Sequence, residues 1–221
     1  KTSIIEGRYL YLQVPGVKAW GENVALYAKM LSDSLCMNYS SAIKGIVIDL
    51  RLNDGGQFGS MASGLALLLG ENYIGAGVDV DNKVKYRFTI SNHNLYINNN
   101  PITSITHSCN YTLSKIPVAL LIGPNTRSSG SILAISFKGR KKTFFAGEPT
   151  ANGYSTGNDY FTYSGNLSLN LSTTFSNDRN EVVYKTSVRP DVIIKGPDNF
   201  DNPSLDKKVK IALKWLAKNS R

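Results

Sequence analysis

Apolar residues along this chain fall into short runs divided by glycine-rich turns, and the spacing inside each run names its element. Residues 9–14 read as a strand stopped by Pro15 and Gly16. Between residues 22 and 37, Val24, Leu26, Tyr27, Met30, Leu31 and Leu35 recur at helical spacing, which predicts an amphipathic helix facing a core. Residues 45–50 (G-I-V-I-D-L) are apolar and rich in β-branched side chains, as a buried strand requires. They run into a turn holding Gly55 and Gly56, then an apolar helix over residues 61–69. The same order returns at residues 117–122, an apolar run too short for an isolated helix, closed by Gly123, Pro124 and Asn125. Beyond it Ile132, Leu133, Ile135 and Phe137 lie on one helical face. Repeated strand–turn–helix units predict a largely parallel α/β sheet whose strand ends open on one crevice.

Other stretches are more polar. Residues 75–114 are Asn-rich, with hairpin strands expected at 84–90 and 95–97. Residues 167–175 and 182–184 read as a second hairpin, and 192–194 as a short strand. Tyr154, Tyr160, Phe161 and Tyr163 read as core or hairpin packing, with lining of the crevice as the alternative use. Pro203-Ser204-Leu205-Asp206 is a capped start for a final helix through about Lys218, with Val209, Ala212, Leu213 and Leu216 on its apolar face. No repeat or long linker divides the chain. One core domain over residues 9–218 is expected, with 75–114 as a polar β insertion and 1–8 as a tail or strand edge.

Composition narrows the partners. Twenty-five Lys and Arg against 16 Asp and Glu give a net charge of +9, a surface drawn to polyanions such as an anionic cell envelope. No aromatic RNA-binding signature or helix-turn-helix pattern accompanies the charge, so nucleic acid is not expected. Cys36 and Cys109 make no metal-ligand pattern; one disulfide between them cannot be read from sequence, and two buried thiols are the expected state. Asp79 and Asp81 lack the companion ligands calcium needs, so neither a metal nor a cofactor is expected. His93 and His107 both fall in the polar insertion and are expected to be solvated. Asn-X-Ser/Thr occurs at Asn38, Asn110, Asn166 and Asn170, which matters only in a glycosylating pathway. Ser41 and Lys44 spell S-x-x-K, but the segment leads into a strand rather than opening a helix, so the lysine points elsewhere.

The chemistry-bearing stretch is Thr126-Arg127-Ser128-Ser129-Gly130, where a strand hands over to a helix. A serine there has its hydroxyl aimed outward beside main-chain N–H groups of the helix start, which suits a nucleophile. The competing use of Ser128 or Ser129 is to cap the helix.

Three ordered motifs then carry a resemblance. D-L-R-L-N-D-G-G (residues 49–56) is similar to the D-L-R-x-N-x-G-G segment of the C-terminal processing (tail-specific) serine peptidases. T-R-S-S-G-S (126–131) resembles their nucleophile segment, and G-E-P-T-A-N-G-Y-S-T-G-N (147–158) resembles the segment that follows it. The nearest branch is the one with the nisin resistance proteins, which lacks a PDZ domain. The resemblance implies a crotonase-like α/β fold of stacked ββα units with a small β-hairpin subdomain. It implies Ser128 as the acyl-forming nucleophile, with an oxyanion hole from the N–H of Ser129 and of Gly55 or Gly56. Asp49 and Arg51 are read as structural support, and Thr150, Gly153 and Tyr154 as substrate-binding. Peptide or protein substrates and an extracytoplasmic location follow from the family, with the oligomeric state left open.

The departures are specific. Where relatives with a Ser–Lys dyad carry the lysine, this chain has Gly153, and Lys141 and Lys142 are out of register. Ser131 replaces the usual glutamate three residues after the nucleophile, and Gln13 stands where some relatives have histidine. The histidine segment of the nearest branch, with its upstream cap domain, is expected to be absent from these residues. Two readings result: a serine peptidase core lacking its base, or a degenerate member that binds peptides without cutting them. An acyl-CoA enzyme of the broader fold is a third reading, by analogy alone.

Overall fold

The computed structural model describes residues 1–18, 21–111, 113–163, 165 and 167–220. In chain order its elements are β1 (Thr2–Ile5), β2 (Tyr9–Gln13), α1 (Asn23–Asn38), β3 (Gly45–Asp49), α2 (Phe58–Gly64), α3 (Ala66–Leu69), β4 (Asn72–Val78) and β5 (Val84–Ser91). They continue with β6 (Asn94–Ile97), β7 (Asn100–Pro101), β8 (Val118–Ile122), α4 (Ser129–Phe137), β9 (Thr143–Gly147) and β10 (Thr156–Thr162). The last are β11 (Ser168–Asn177), β12 (Val183–Tyr184), β13 (Val192–Ile193) and α5 (Lys207–Asn219).

The first sheet has the order β1-β2-β3-β8-β9-β13, parallel throughout except for the antiparallel edge strand β1. Alternation along each strand splits the core in two. Leu10, Leu12, Ile46, Ile48, Val118 and Leu120 pack on one face, against α1, α2 and α4. Tyr9, Tyr11, Val47, Ala119 and Leu121 face the other way, onto Val209, Ala212, Leu213 and Leu216 of α5. The fold class is the expected α/β one.

The second sheet has the order β10-β11-β4-β5-β6-β7, antiparallel throughout, with β12 on β11. The polar stretch after residue 75 is therefore joined with the later hairpin in a single sheet. The registers Asp159↔Leu171 and Phe161↔Leu169 put Phe161, Leu169 and Leu171 on one face of the β10–β11 ribbon, each more than 40% exposed. Asn158, Thr162, Ser168, Asn170 and Ser172 occupy the other face. Tyr154, Tyr160, Phe161 and Tyr163 are all exposed, not core: Tyr160 and Phe161 lie on this ribbon, Tyr163 just after β10, and Tyr154 on the loop before it.

Several expectations are corrected. The helix over 61–69 starts at Phe58 and breaks at Leu65 (φ −106°, ψ 12°) into two short helices. The capped start of the final helix is as expected, with Asp206 as the cap, its carboxylate accepting from Lys208 N and Val209 N. The cysteines are not thiols: Cys36 and Cys109 form a disulfide across 73 residues of sequence, their Cα atoms 5.6 Å apart. It ties the segment before Leu113 down onto α1. His107 lies on the same strap and is half-buried rather than solvated, its Nδ1 2.7 Å from Ser32 Oγ and its Nε2 2.7 Å from His93 O. Of the glycosylation sequences, Asn166 lies outside the described residues.

Candidate active site

Two loops leave the C-terminal ends of adjacent parallel strands, residues 50–57 after β3 and 123–128 after β8. Asn53 welds them together. Its Nδ2 donates to Val14 O (3.1 Å) and Pro15 O (3.3 Å), its Oδ1 accepts from Gly55 N (3.0 Å), and its own C=O accepts from Arg127 N (3.1 Å). Thr126 adds a second weld, donating from Oγ1 to Leu50 O at 2.8 Å while accepting from Gly123 N at 3.1 Å. Each of these side chains is buried, so the loops are set by polar groups that folding leaves no other partner.

Ser128 stands at the junction with φ 53° and ψ −129°, a conformation that L-residues avoid and that strand-to-helix nucleophile turns adopt. It occupies the N-cap position of α4 but makes no capping bond, so its hydroxyl is not spent on the helix. Ser129 makes the cross-loop contact instead, its Oγ donating to Gly56 O at 2.6 Å. The double-glycine turn abuts this corner. A Cβ at Gly55 would lie 2.7 Å from Ser128 Cβ, and one at Gly56 would lie 1.8 Å from Val17 O, so neither position admits a side chain.

The N–H groups around Ser128 can be accounted for one by one. Gly55 N–H is taken by Asn53 Oδ1. Val17 bridges to Gly56 through Gly55 O and Gln57 N, both 2.8 Å, which leaves the polar groups of Gly56 turned away from Val17. Among the described residues, Gly56 N–H and Ser129 N–H have no hydrogen-bond partner. Ser129 N–H also opens the nine-residue helix α4, where the helix dipole favours negative charge.

Behind the loops lies a buried charge network. Arg51 pairs with Asp49 (2.6 Å), Asp198 (2.6 Å) and Asp206 (2.8 Å), and its guanidinium sits over the Phe200 ring. Lys208 continues it to Asp198 (2.8 Å) and to Glu148 (2.9 Å) of the G-E-P-T loop. Tyr11 donates its hydroxyl to Asp49 Oδ2 at 2.7 Å, and burial together with Asp49 pushes its pKa well up. Burial opposes the charged form of Asp206, but Asn199 N–H and Arg51 overcome it and hold the carboxyl below its ordinary range. Burial likewise opposes Lys208, and its two carboxylate partners raise it above the usual lysine value. The network fastens the start of α5 to Arg51 of the 50–57 loop and to Glu148 of the G-E-P-T loop.

The remaining candidates divide sharply. Thr150 is buried, its N–H donating to Val188 O and its Oγ1 accepting from Val188 N, while Ala151 N–H donates to Thr126 O. Gly153 (φ 74°) and Tyr154 are exposed on the same loop. Lys141 and Lys142 lie at the start of β9, which pairs in parallel with the start of β8, so a whole strand separates them from Ser128. His93 pairs with Glu71 and His107 with Ser32, and neither bonds to Ser128. Gln13 ends β2 beside Asp49, with its Nε2 buried and unpartnered among the described residues. No group of His, Cys, Asp and Glu among the described residues is arranged to hold a metal ion. The sequence missed Asn53, Asp198 and Lys208, which matter through contacts distant in the chain: Asn53 with Val14, 39 residues away, Lys208 with Glu148, 60 away, and Asp198 with Arg51, 147 away.

The chain belongs to peptidase family S41, whose family model matches residues 8–194. It is similar to the nisin-resistance protein of Lactococcus lactis subsp. lactis, 31% identical over 189 residues that cover 85% of this chain and 57% of the relative. This chain therefore spans little more than half the length of that protein. Among solved structures it resembles a lipoprotein from Streptococcus agalactiae, at a TM-score of 0.77 and 23% identity, over 99% of this chain and 69% of that one. It also resembles the photosystem II D1 C-terminal processing protease, at a TM-score of 0.60 and 20% identity, over 85% of this chain and 42% of that one.

Proposed function

We propose that this chain is the catalytic core of a serine peptidase of the C-terminal processing type, acting on peptides by acyl transfer through Ser128. The observation that carries the reading is Ser128 itself, held at a left-handed backbone angle with an uncapping hydroxyl beside two unpartnered N–H groups. Ser128 Oγ attacks the scissile carbonyl, and the developing oxyanion accepts from Gly56 N–H and Ser129 N–H. Two fixed donors of this kind are worth roughly 10²–10³ each in rate. Gly55 serves by having no side chain, since its N–H is already bonded. Asp49 and Arg51 hold the turn, and the substrate-facing part of the G-E-P-T loop reduces to Gly153 and Tyr154.

The proton of Ser128 Oγ needs an acceptor that none of the described residues is placed to supply. The second reading, a peptide-binding member without turnover, rests on that observation and on Ser131 at the usual glutamate position. In either case an extended peptide would pair with the edge strand β10, which leaves the loop hydrogen-bonded to Thr126. The names of two similar proteins, a nisin-resistance protein and a lipoprotein, support a place at the cell envelope, where a charge of +9 favours anionic surfaces. No helix among the described residues is long and apolar enough to cross a membrane. A fluorophosphonate probe followed by peptide mapping tests the reading: label on Ser128, lost in Ser128→Ala, supports it. Peptide binding with Ser128 unlabelled after prolonged exposure selects the second reading.

A further inference from the structure

A shallow cleft of 340 Å³ lies between the Gly16–Lys18 segment and the outer face of α1. Its lining includes Val17, Leu26, Tyr27 and Met30, together with Lys18. Leu26 and Met30 stand one helical turn apart and are 57% and 59% exposed, while Ala28, Leu31 and Leu35 of the same helix supply its core face. This second apolar stripe is not used by the core.

We propose that this cleft is a side-chain subsite that receives one large apolar residue of the peptide held at Ser128; the proposal rests on the peptidase or peptide-binding reading of that site. Continuity argues for it. Val17 forms the cleft wall and is hydrogen-bonded on both sides of Gly56, so the cleft and the N–H-bearing loop are one rigid unit. Neighbouring strands lie about 4.8 Å apart and an extended peptide advances about 3.3 Å per residue, so the occupant sits at least about two residues from the scissile bond. Size argues against a protein partner. Seven of the described residues line the cleft, against the roughly 20–30 a side of a stable protein interface. The volume is near the lower end of the ~300–1,000 Å³ range of small-ligand sites, enough for a leucine, methionine or phenylalanine side chain.

The three methionines report on it separately: Met30 in the cleft, Met37 exposed further along α1, and Met61 buried in the core. The Ser128→Ala protein, labelled with ¹³C at its methionine methyls, is titrated with acetylated Ala/Ser octapeptides carrying one leucine at successive positions, and with the leucine-free parent. A saturable shift of Met30 alone is expected for a subset of leucine positions, with affinity about tenfold above the parent. Leu26→Asp, at an exposed position, should abolish it. A silent Met30, or equal shifts with the parent peptide, overturns the subsite. Fluorophosphonate labelling of the unmutated protein separates the two claims. Labelled Ser128 with a silent Met30 removes the subsite and keeps the peptidase, whereas a Met30 response without labelling keeps the subsite and removes the chemistry.

Discussion

Ser128 holds a backbone angle that costs energy, and nothing local repays it. An L-residue at φ 53° is disfavoured by about 1–2 kcal/mol, and the hydroxyl makes no capping bond in return. Strain with no structural return marks a position kept for another purpose. Ser128→Gly should therefore be more stable than Ser128→Ala by about 1 kcal/mol, read from urea denaturation midpoints, because only glycine is at ease at this angle. Both variants should lose fluorophosphonate labelling. Equal midpoints would mean the turn is not strained at Ser128. The serine pair and the double glycine were legible in the sequence, and the resemblance named Ser128 as the nucleophile, but the bonds around them and the choice between Gly55 and Gly56 were not. Ser129 is drawn off by Gly56 O, a contact 73 residues away, and Gly56 rather than Gly55 is left with its N–H open because Asn53 Oδ1 takes the other.

Among the elements, the strongly patterned ones were readable and the tertiary-made ones were not. Strands β3 and β8 are apolar on both faces, so their composition alone declares them. Strand β10 (T-G-N-D-Y-F-T) is polar and largely exposed; it is a strand because it pairs along β11, which no local pattern announces. Strand β9 is five residues wedged between two lysines and the G-E-P turn, too short to stand out. The start of α5 was legible as a cap, but not that the capping residue, Asp206, is also a partner of Arg51. That double duty gives a prediction. Asp206→Ala removes a cap and leaves a buried guanidinium short of a partner, at a cost of about 3–5 kcal/mol by denaturant unfolding. The folded pKa of Asp206 lies below its unfolded value, so its contribution is complete above the ordinary aspartate pKa and is lost as pH falls through the folded one. The gap between the parent and Asp206→Asn should hence narrow on acidification below about pH 4, the unfolded value. A gap that stays constant down to pH 2 would assign the effect to packing.

For the molecule as a whole, the disulfide sets a closed loop that contains β3 through β7, and with it the Gly55–Gly56 turn. Two cysteines 73 residues apart carry no sequence signal of pairing, since only the folded path of the strap brings them together. In the chain-entropy account a loop of that length is worth about 4 kcal/mol, so reduction should lower the unfolding free energy by about that amount. The same strap carries a second fastening, His107 between Ser32 and His93 O, with His93, Lys29, Asp33 and Glu71 as the charged or titratable groups around it. Burial first, and then the neighbouring His93 and Lys29, keep the His107 pKa below the usual histidine value. The neutral ring is thus the folded form. Its contribution is complete above the ordinary histidine pKa and disappears as pH falls through the lower folded value. Amide hydrogen exchange over residues 103–111 should speed up between pH 7 and pH 5 after correction for the intrinsic rate, and His107→Gln should flatten that dependence. The two fastenings act on one segment, so their effects should not add. In reduced protein the strap is already loose, and acidification should change its exchange far less than in the disulfide-bonded form. Equal acid sensitivity with and without the disulfide would show that His107 and Cys109 hold separate pieces of the chain.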